Sequence, residues 1–287
     1  MNLFKQNKNM LKPLWIFSQK GNLWRFFITD IGIVVGETRD LEKKIVYFFS
    51  LEIGTGKINF QNLILGSYNY WISIEGYDSN YIYLHRFENP NMPDHIGIIA
   101  IDIFTGEIKW ENKDLIYFFN SDEELYGYRQ MFESLKYYLI DKENGNVKKE
   151  IRNENSSDIQ SLKSETSENQ YIHNKYTDIF NLDTSNNDIR EIISKELEGK
   201  VIQGEVEYIK QNDLLIFNYH IRSSEKSNAD NILLDNILCV YEIADKNKVL
   251  HQKINHNVRF NVPDSFFIHK NYLVYVIEKK EISVIKL

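Results

Sequence analysis

The sequence predicts an all-β chain folded as a single β-propeller, in which four-stranded antiparallel sheets form the blades of a closed ring. Three observations support this architecture. Apolar and polar residues alternate in short segments, as expected for half-buried strands. Glycine-containing turns separate paired segments, which is the pattern of β-hairpins. The hairpins recur at intervals of about 40–50 residues, a period typical of propeller blades.

The recurring unit is a strand, a Thr-Gly or Asn-Gly turn, and a second strand that ends in tryptophan in the clearest copy. That copy spans residues 97–110 and ends at Trp110. Weaker copies span residues 47–60, 137–147 and 240–250. Aromatic residues make up 14% of the chain, which favours sheets because large rings pack well on half-buried strand faces.

Glycine marks the turn in three of these copies. Gly56, Gly106 and Gly145 are separated by steps of 50 and 39 residues. We expect each of them to have a positive φ, a conformation that glycine adopts without steric penalty. The unit around Gly106 shows all four strands of a blade, at residues 70–76, 81–87, 95–103 and 107–110.

The two ends of the chain predict how the ring closes. The last unit, residues 272–287, lacks an outer strand, which residues 14–17 or 23–26 would supply. We predict that the N-terminal strand near Trp24 pairs with the C-terminal strand near Val284, since this pairing removes two exposed sheet edges. Six blades are the preferred number, and five are the alternative.

The predicted domain organisation is a flexible tail at residues 1–12 followed by one propeller domain at residues 13–287. Residues 152–199 interrupt the regular pattern of strands. The first part of this stretch, residues 152–170, is polar and contains no aromatic residue. It predicts an excursion from the ring or a weakly ordered unit.

A helical pattern follows at residues 188–198, where apolar residues recur at a spacing of three to four. Asp188 is a candidate N-cap and Gly199 a candidate C-cap. The sequence leaves two alternatives for this segment: a short helix that interrupts the ring, or the outer strand of a degraded blade.

Composition excludes several classes of partner. The net charge is −7 and no basic block is present, which argues against nucleic acid and anionic membranes as partners. No apolar run follows the first residues, and the longest apolar stretches are strand-sized, so we expect neither a secretory signal nor a membrane span. The single cysteine, Cys239, lies in an apolar strand and is expected to be a buried, unreactive thiol. We therefore expect a cytoplasmic monomer without a metal or cofactor.

The hairpin that ends at Trp110 resembles the PQQ-like repeats of quinoprotein dehydrogenases and of bacterial outer-membrane assembly scaffolds. Residues 37–40 and 89–95, with the hairpin that follows, also resemble a small bacterial family whose domain has no known function. The resemblance covers most of the chain and fades between about residues 150 and 205. It implies a propeller fold and no assigned activity. A quinone cofactor would need a larger ring, a stacking tryptophan pocket and calcium-binding carboxylates, so the repeat implies no cofactor.

The candidate site is a polar rim formed by connections between strands. In a propeller blade, the loop from the second to the third strand opens on the face where the first strand is entered. Charged residues lie in or beside three such loops, and Pro90 and Pro93 stiffen the second of them. Paired guanidinium donors and imidazoles that titrate near neutral pH suit a polar or anionic ligand. The candidate ligand-binding residues are Arg39, Asp40, Asp94, His95, His220 and Arg222.

Two classes of function are compatible with this rim. The sequence contains none of the common nucleophile, zinc-protease or nucleotide-binding motifs, which favours a non-catalytic module that binds a protein partner or a small polar ligand. The alternative is an enzyme of lyase or hydrolase type, in which Asp94 and His95 act as acid and base while Arg39 holds an anion. A purely structural role for Arg39 and Asp40, as ion pairs that stabilise blade packing, is the third interpretation.

Overall fold

The structure is a computed structural model. It describes residues 10–66, 70–87, 94–121, 123–151, 156–183, 186–224 and 232–287. This part of the chain forms 22 strands, arranged in five antiparallel sheets, and two helices. The prediction of an all-β chain with antiparallel sheets is confirmed; three of the described sheets have the expected four strands, and two have five. The sheets in the described part number five, where we expected six blades or, as the alternative, five.

The chain divides into two compact units. One unit comprises Ser18–His173, and the other comprises Asn174–Leu287 together with the described residues up to Phe17. The first strand, β1 (Trp15–Ser18), therefore joins a sheet that consists otherwise of strands from the C-terminal part of the chain.

The unit Ser18–His173 contains three sheets, in each of which strands consecutive in sequence are hydrogen-bonded neighbours. The first sheet is β2 (Asn22–Ile28), β3 (Ile33–Asp40), β4 (Ile45–Glu52) and β5 (Ile58–Leu63); the second is β6 (Ile72–Tyr77), β7 (Tyr81–Phe87), β8 (His95–Asp102) and β9 (Ile108–Asn112); the third is β10 (Ile116–Asn120), β11 (Leu125–Gln130), β12 (Leu135–Ile140) and β13 (Val147–Ile151). The second sheet matches the four strands expected around Gly106 to within two residues. A helix, α1 (Ser156–Gln170), follows the third sheet.

The other unit contains two five-stranded sheets. Its elements in chain order are β14 (Asn174–Lys175), β15 (Asp178–Ile179), α2 (Asn187–Leu197), β16 (Glu207–Gln211), β17 (Leu214–Arg222), β18 (Leu234–Glu242), β19 (Asn247–Val258), β20 (Phe266–His269), β21 (Tyr272–Ile277) and β22 (Glu281–Lys286). One sheet has the order β15-β16-β17-β18-β19, and the other has the order β1-β22-β21-β20-β14.

The N-terminal strand pairs with the C-terminal strand, but one strand earlier than predicted. The amide of Leu14 donates to the carbonyl of Val284 at 2.7 Å, and β1 is the neighbour of β22. Trp24 lies in β2, which pairs with β3. The chain changes sheet between β1 and β2 at Gly21, whose φ is +84° and where a Cβ would lie 2.8 Å from the carbonyl carbon of Arg39. Only glycine fits this approach without displacing backbone.

The turn glycines have the predicted conformation. Gly56, Gly106 and Gly145 have φ values of +71°, +74° and +72°. The Gly145 turn is also a packing surface, because the ring of Trp110 lies against it and donates from its Nε1 to the carbonyl of Lys142 at 2.5 Å. Trp110 of the second sheet therefore packs against the third sheet within this unit.

The helical pattern near residue 190 forms α2, so the helix alternative is correct. The N-cap is Asn186 and not Asp188: the Asn186 side chain accepts a hydrogen bond from the amide of Asp188 at 2.9 Å. Asp188 instead occupies the first turn, where its charge complements the positive end of the helix dipole. Gly199, with a φ of +73°, follows the C-cap residue Glu198.

The polar stretch before it contains an element that the sequence did not predict. Residues 152–155 lie outside the described part, and α1 then runs for 15 residues. Its apolar residues, Ile159 and Leu162, are three apart and pack against Phe119, Tyr126 and Tyr137 of the third sheet. Two apolar residues are too few to predict a helix from periodicity. The helix is instead stabilised by packing against the third sheet.

Candidate functional site

The candidate site lies on β6, β7 and β8, where two irregularities interrupt the strand pairing. Between β6 and β7 the register shifts from Ile74↔Leu84 to Gly76↔Tyr83, so Glu75 is an extra residue in a β-bulge. Between β7 and β8 the register also shifts, near Gly97, whose φ is +71°. Bulges change the direction of side chains locally and occur often beside functional sites.

The two bulges bring together one carboxylate and two imidazoles, which we call the carboxylate–imidazole cluster (Glu75, His85 and His95). The Oε1 atom of Glu75 lies 2.7 Å from Nδ1 of His85 and 3.0 Å from Nδ1 of His95. The two imidazole rings are stacked, with centroids 3.6 Å apart and planes inclined by 12°. Phe87 packs against both rings in T-shaped contacts at centroid distances of 4.7 and 5.3 Å, which restricts their rotation.

Burial and charge act in opposite directions on this cluster. Burial opposes ionisation of Glu75, but the adjacent imidazoles of His85 and His95 outweigh it and lower the pKa of Glu75 to about 2. Burial lowers the pKa of His85, and this effect exceeds the opposite influence of Glu75. The cluster therefore presents a carboxylate and a neutral, buried imidazole at neutral pH.

A cavity of about 440 Å³ borders the cluster at His95. Its walls carry both signs of charge and several hydrogen-bonding groups. The lining residues that bear polar side chains are Asp94, His95, Lys113, Asp114, Tyr128, Arg129 and Gln130. Burial raises the pKa of Tyr128, and the negative charges of Glu75 and Asp94 contribute to the rise. The cavity can thus offer both donors and acceptors to a small molecule.

Arg39 is placed in a buried ion pair. Its Nη2 atom lies 3.1 Å from Oε1 of Glu37 and also donates to the carbonyl of Ile72 at 3.1 Å. Its guanidinium lies over the rings of Trp24 and Tyr70 at 5.0 and 5.2 Å. These contacts favour the interpretation in which Arg39 stabilises the packing of the first sheet on the second.

Asp40 and Asp94 lie in different surroundings. The Oδ1 atom of Asp40 accepts from the amides of Glu42 and Lys43 at 3.1 and 2.9 Å, so Asp40 stabilises the turn after β3. Asp94 and His95 are among the described residues that line the cavity. Arg39 and Asp40 are not. Pro90 and Pro93 lie outside the described residues. The convergence of these four side chains on one rim stays a prediction.

The remaining two candidates, His220 and Arg222, belong to the other unit, at the end of β17. His220 is buried, and its Nε2 atom accepts from the amide of Val262 at 3.0 Å. Burial lowers the pKa of His220, which is consistent with a neutral ring that acts as an acceptor. Arg222 is exposed at the strand end. A ligand-binding role for both stays a prediction.

Sequence reasoning missed a second constellation, around Glu196 of α2. This buried carboxylate accepts from the hydroxyls of Tyr219 and Tyr241 at 2.9 and 2.5 Å, and it pairs with Lys248 at 2.6 Å and with Lys200 at 3.2 Å. Burial opposes its ionisation, but these donors lower its pKa to about 2. Three of the four donors are on β17, β18 and β19, so Glu196 fixes the helix to the sheet.

Cys239 lies beside this group and is fully buried. Burial raises the pKa of its thiol to about 12, and the charge of Glu196 contributes to the rise. The expectation of a core thiol is therefore confirmed. Glu196 was missed because its sequence signal, a glutamate on a helix, is typical of a solvated face, and its partners come from three separate strands.

Glu196→Gln is expected to lower the free energy of unfolding by about 1–3 kcal/mol at neutral pH, because charge-assisted hydrogen bonds become neutral ones. The folded-state pKa of Glu196 is below its ordinary value of 4.5, so this stabilisation is complete above that value and declines as the pH falls towards about 2. Urea unfolding of both proteins from neutral pH down to about pH 3 measures the difference. The exposed neighbour variant Glu198→Gln is the control, and a difference independent of pH would contradict the assignment.

Residues 29–110 match the sequence profile of a domain of unknown function, DUF4905. The matched segment is less than a third of the chain and contains Arg39 and the whole carboxylate–imidazole cluster. No curated protein matches the chain.

Solved structures of low identity align with most of the chain. A eukaryotic initiation factor is 8% identical with a TM-score of 0.34, over 92% of this chain and 52% of its own. Hydrazine synthase from Kuenenia stuttgartiensis is 10% identical with a TM-score of 0.27, over 86% of this chain and 60% of its own. A glycosyl hydrolase from Bacteroides ovatus is 10% identical with a TM-score of 0.28, over 98% and 91%. The chain thus spans between half and two thirds of the first two. Likenesses this distant carry no information about ligand or activity.

Neither helix in the described part of the chain is long and apolar enough to cross a bilayer. Cytoplasmic location, the absence of a nucleic-acid partner and the monomeric state stay predictions from composition.

Proposed function

We propose that the chain is a non-catalytic binding module that holds a small polar ligand with an anionic group in the cavity beside His95. The mixed lining of this cavity is the observation that supports it most directly. The hairpins, which resemble PQQ-like repeats, supply a rigid scaffold and imply no cofactor. Ligand-binding residues commonly lie where strands of such a scaffold end, as His95 does at the start of β8.

The charges on the cavity wall suggest the chemistry of the ligand. Lys113 and Arg129 would receive the anionic group, while Asp94 and Asp114 would accept hydrogen bonds from its hydroxyl or amino groups. Arg129 is already positioned, because its Nε donates to the carbonyl of Asp114 at 3.4 Å and its guanidinium lies 5.9 Å from the ring of Tyr138. A positioned donor loses less conformational entropy on binding.

The test uses malate, an anionic hydroxy acid, and inorganic phosphate as probes against the chelator-treated protein. Amide chemical shifts are measured by NMR during each titration at constant ionic strength. We expect saturable shifts, with a Kd of about 1 mM or below, at the amides of residues 94–97 and 128–130. Arg129→Ala should weaken the affinity at least about fivefold, since one charge-assisted contact contributes about 1 kcal/mol or more.

Lys148→Ala is the matched control, because this lysine is exposed on β13 of the same unit and does not line the cavity. The proton spectrum of malate, followed for a day with the protein, shows whether the probe is converted. Unsaturable shifts, or shifts that are unaffected by Arg129→Ala, would contradict the proposed site. Conversion of malate would replace the binding module by the lyase alternative.

A further inference from the structure

We propose that Glu75, His85 and His95 bind a divalent transition-metal ion. The ligand atoms of these three side chains all lie within 4.8 Å of one another. Two imidazole nitrogens with one carboxylate oxygen are a donor set that suits Zn²⁺ and neighbouring first-row ions.

The hydrogen bonding of His85 is an independent indication. Its side chain is 2% exposed, and neither ring nitrogen makes an aligned hydrogen bond within the described part of the chain. Its Nδ1 atom approaches Glu75 to 2.7 Å, but without the alignment of an ordinary hydrogen bond. Buried imidazole nitrogens normally have a partner, and a cation bound by both His85 and Glu75 would provide one.

The strands hold the three ligands in place before any ion binds. Glu75 is set by the bulge in β6, while His85 and Phe87 project from the same face of β7. Phe87 is paired with His95 across the sheet and packs on both imidazoles. Ligands fixed by backbone register need little rearrangement to bind a metal ion.

Three protein ligands would leave one position of a tetrahedral ion open. His95 lines the cavity, so this fourth position would be accessible from it. Open coordination is characteristic of zinc sites at which water or a second ligand binds. The metal site does not depend on the proposed organic ligand, since its residues and its probe are different.

A second group with metal-binding side chains, Glu196 with Cys239 and His251, is the competitor for the same ion. Glu196 already accepts from two tyrosines and two lysines, and a thiol whose pKa is about 12 is a poor source of thiolate. These properties favour the carboxylate–imidazole cluster as the site that an added ion occupies.

The experiment is a calorimetric titration of the chelator-treated full chain with Zn²⁺, without malate or phosphate. We expect one equivalent to bind. His95→Ala and Glu75→Gln should each weaken the affinity more than about 100-fold, the upper end of what loss of a merely supporting group costs. His95 is partly exposed at a strand start, so its variant keeps the buried framework intact. The controls His173→Ala and His251→Ala should bind as the parent protein does.

Co²⁺ is the spectroscopic probe of the ligand set. A site of nitrogen and oxygen ligands gives visible d–d bands that are lost in His95→Ala, without a thiolate-to-cobalt charge-transfer band in the near ultraviolet. A charge-transfer band, or loss of binding in His251→Ala, would assign the ion to Cys239 and overturn the proposal. Failure to bind Zn²⁺, or equal affinity in the parent, His95→Ala and Glu75→Gln proteins, would overturn it as well. None of these four outcomes would affect the binding of malate to the metal-free protein.

Discussion

Glu37→Ala is expected to lower the free energy of unfolding by about 3–5 kcal/mol, the usual effect of removing one partner from a buried ion pair. Glu37 is fully buried in β3. Its carboxylate accepts from the hydroxyl of Ser73 at 2.7 Å and from the amide of Ile74 at 3.0 Å, and it pairs with Arg39 at 3.1 Å. One side chain therefore connects the first sheet to β6 of the second and neutralises a buried guanidinium.

A double-mutant cycle separates the ion pair from its surroundings. Arg39→Met should cost less than Glu37→Ala, because Ser73 and Ile74 still satisfy the carboxylate. The cycle uses Glu37→Leu as its other single variant, and combining Glu37→Leu with Arg39→Met should recover part of the loss, since apolar replacement of a whole buried pair is often nearly neutral. Guanidinium unfolding measures each variant, and the coupling energy follows from the cycle.

The exposed pair of Lys57 and Glu52 is the matched control, at a similar distance of 3.1 Å. Glu52→Ala should cost much less stability than Glu37→Ala, because solvent screens the exposed pair. If Glu37→Ala cost no more than Glu52→Ala, Glu37 would not be a structural link. If Arg39→Ala left stability unchanged but abolished malate binding, the sequence-based role of Arg39 as a ligand contact would be supported instead.

Gly145→Val is expected to lower the free energy of unfolding by about 2–5 kcal/mol. A left-handed backbone costs about 1–2 kcal/mol for a residue with a Cβ, and forced overpacking typically adds about 1–3 kcal/mol. The Cβ would lie 2.4 Å from Cε3 of Trp110. The indole cannot easily move away, because it is 7% exposed and is hydrogen-bonded to Lys142.

Gly199→Val separates the two contributions. Gly199 has nearly the same φ, +73° against +72°, but a Cβ there would meet nothing within 4 Å. Gly199→Val should therefore lose only the stability that a left-handed backbone costs. The additional loss of stability in Gly145→Val measures the overpacking against Trp110. Urea unfolding of both variants gives the comparison. Equal losses in the two variants would mean that the indole yields and that the hairpin does not depend on this contact.

The hairpins could be predicted from sequence because their determinants are local. Alternating apolar residues define the strands, and a glycine at positive φ defines each turn, so Gly56, Gly106 and Gly145 were identified without tertiary information. Apolar spacing and Gly199 also indicated a helix at α2, but they left an outer strand as the alternative, and only the structure decided between the two. Its N-cap was misassigned by two residues, since Asn186 and Asp188 are both good caps and only the backbone distinguishes them.

His95 was recognised as a candidate, but its partners were not. Glu75 and His85 are separated from it by 20 and 10 residues and lie in strands whose ordinary pairing would not predict their convergence. Two bulges shift the register, and each extra residue changes the directions in which nearby side chains point. No sequence pattern marks the positions of these bulges, apart from Gly97 in the second.

Sequence alone determined the glycine-containing turns and the strands of the hairpins around them, because these properties depend on sterics and periodicity within a few residues. Tertiary structure alone decided which polar side chains became buried partners. Glu37 and Glu196 look like ordinary surface glutamates in sequence, and both are buried among donors from other strands. Such partners depend on register and on the packing of whole sheets, so the free energy that places them arises from contacts between residues distant along the chain.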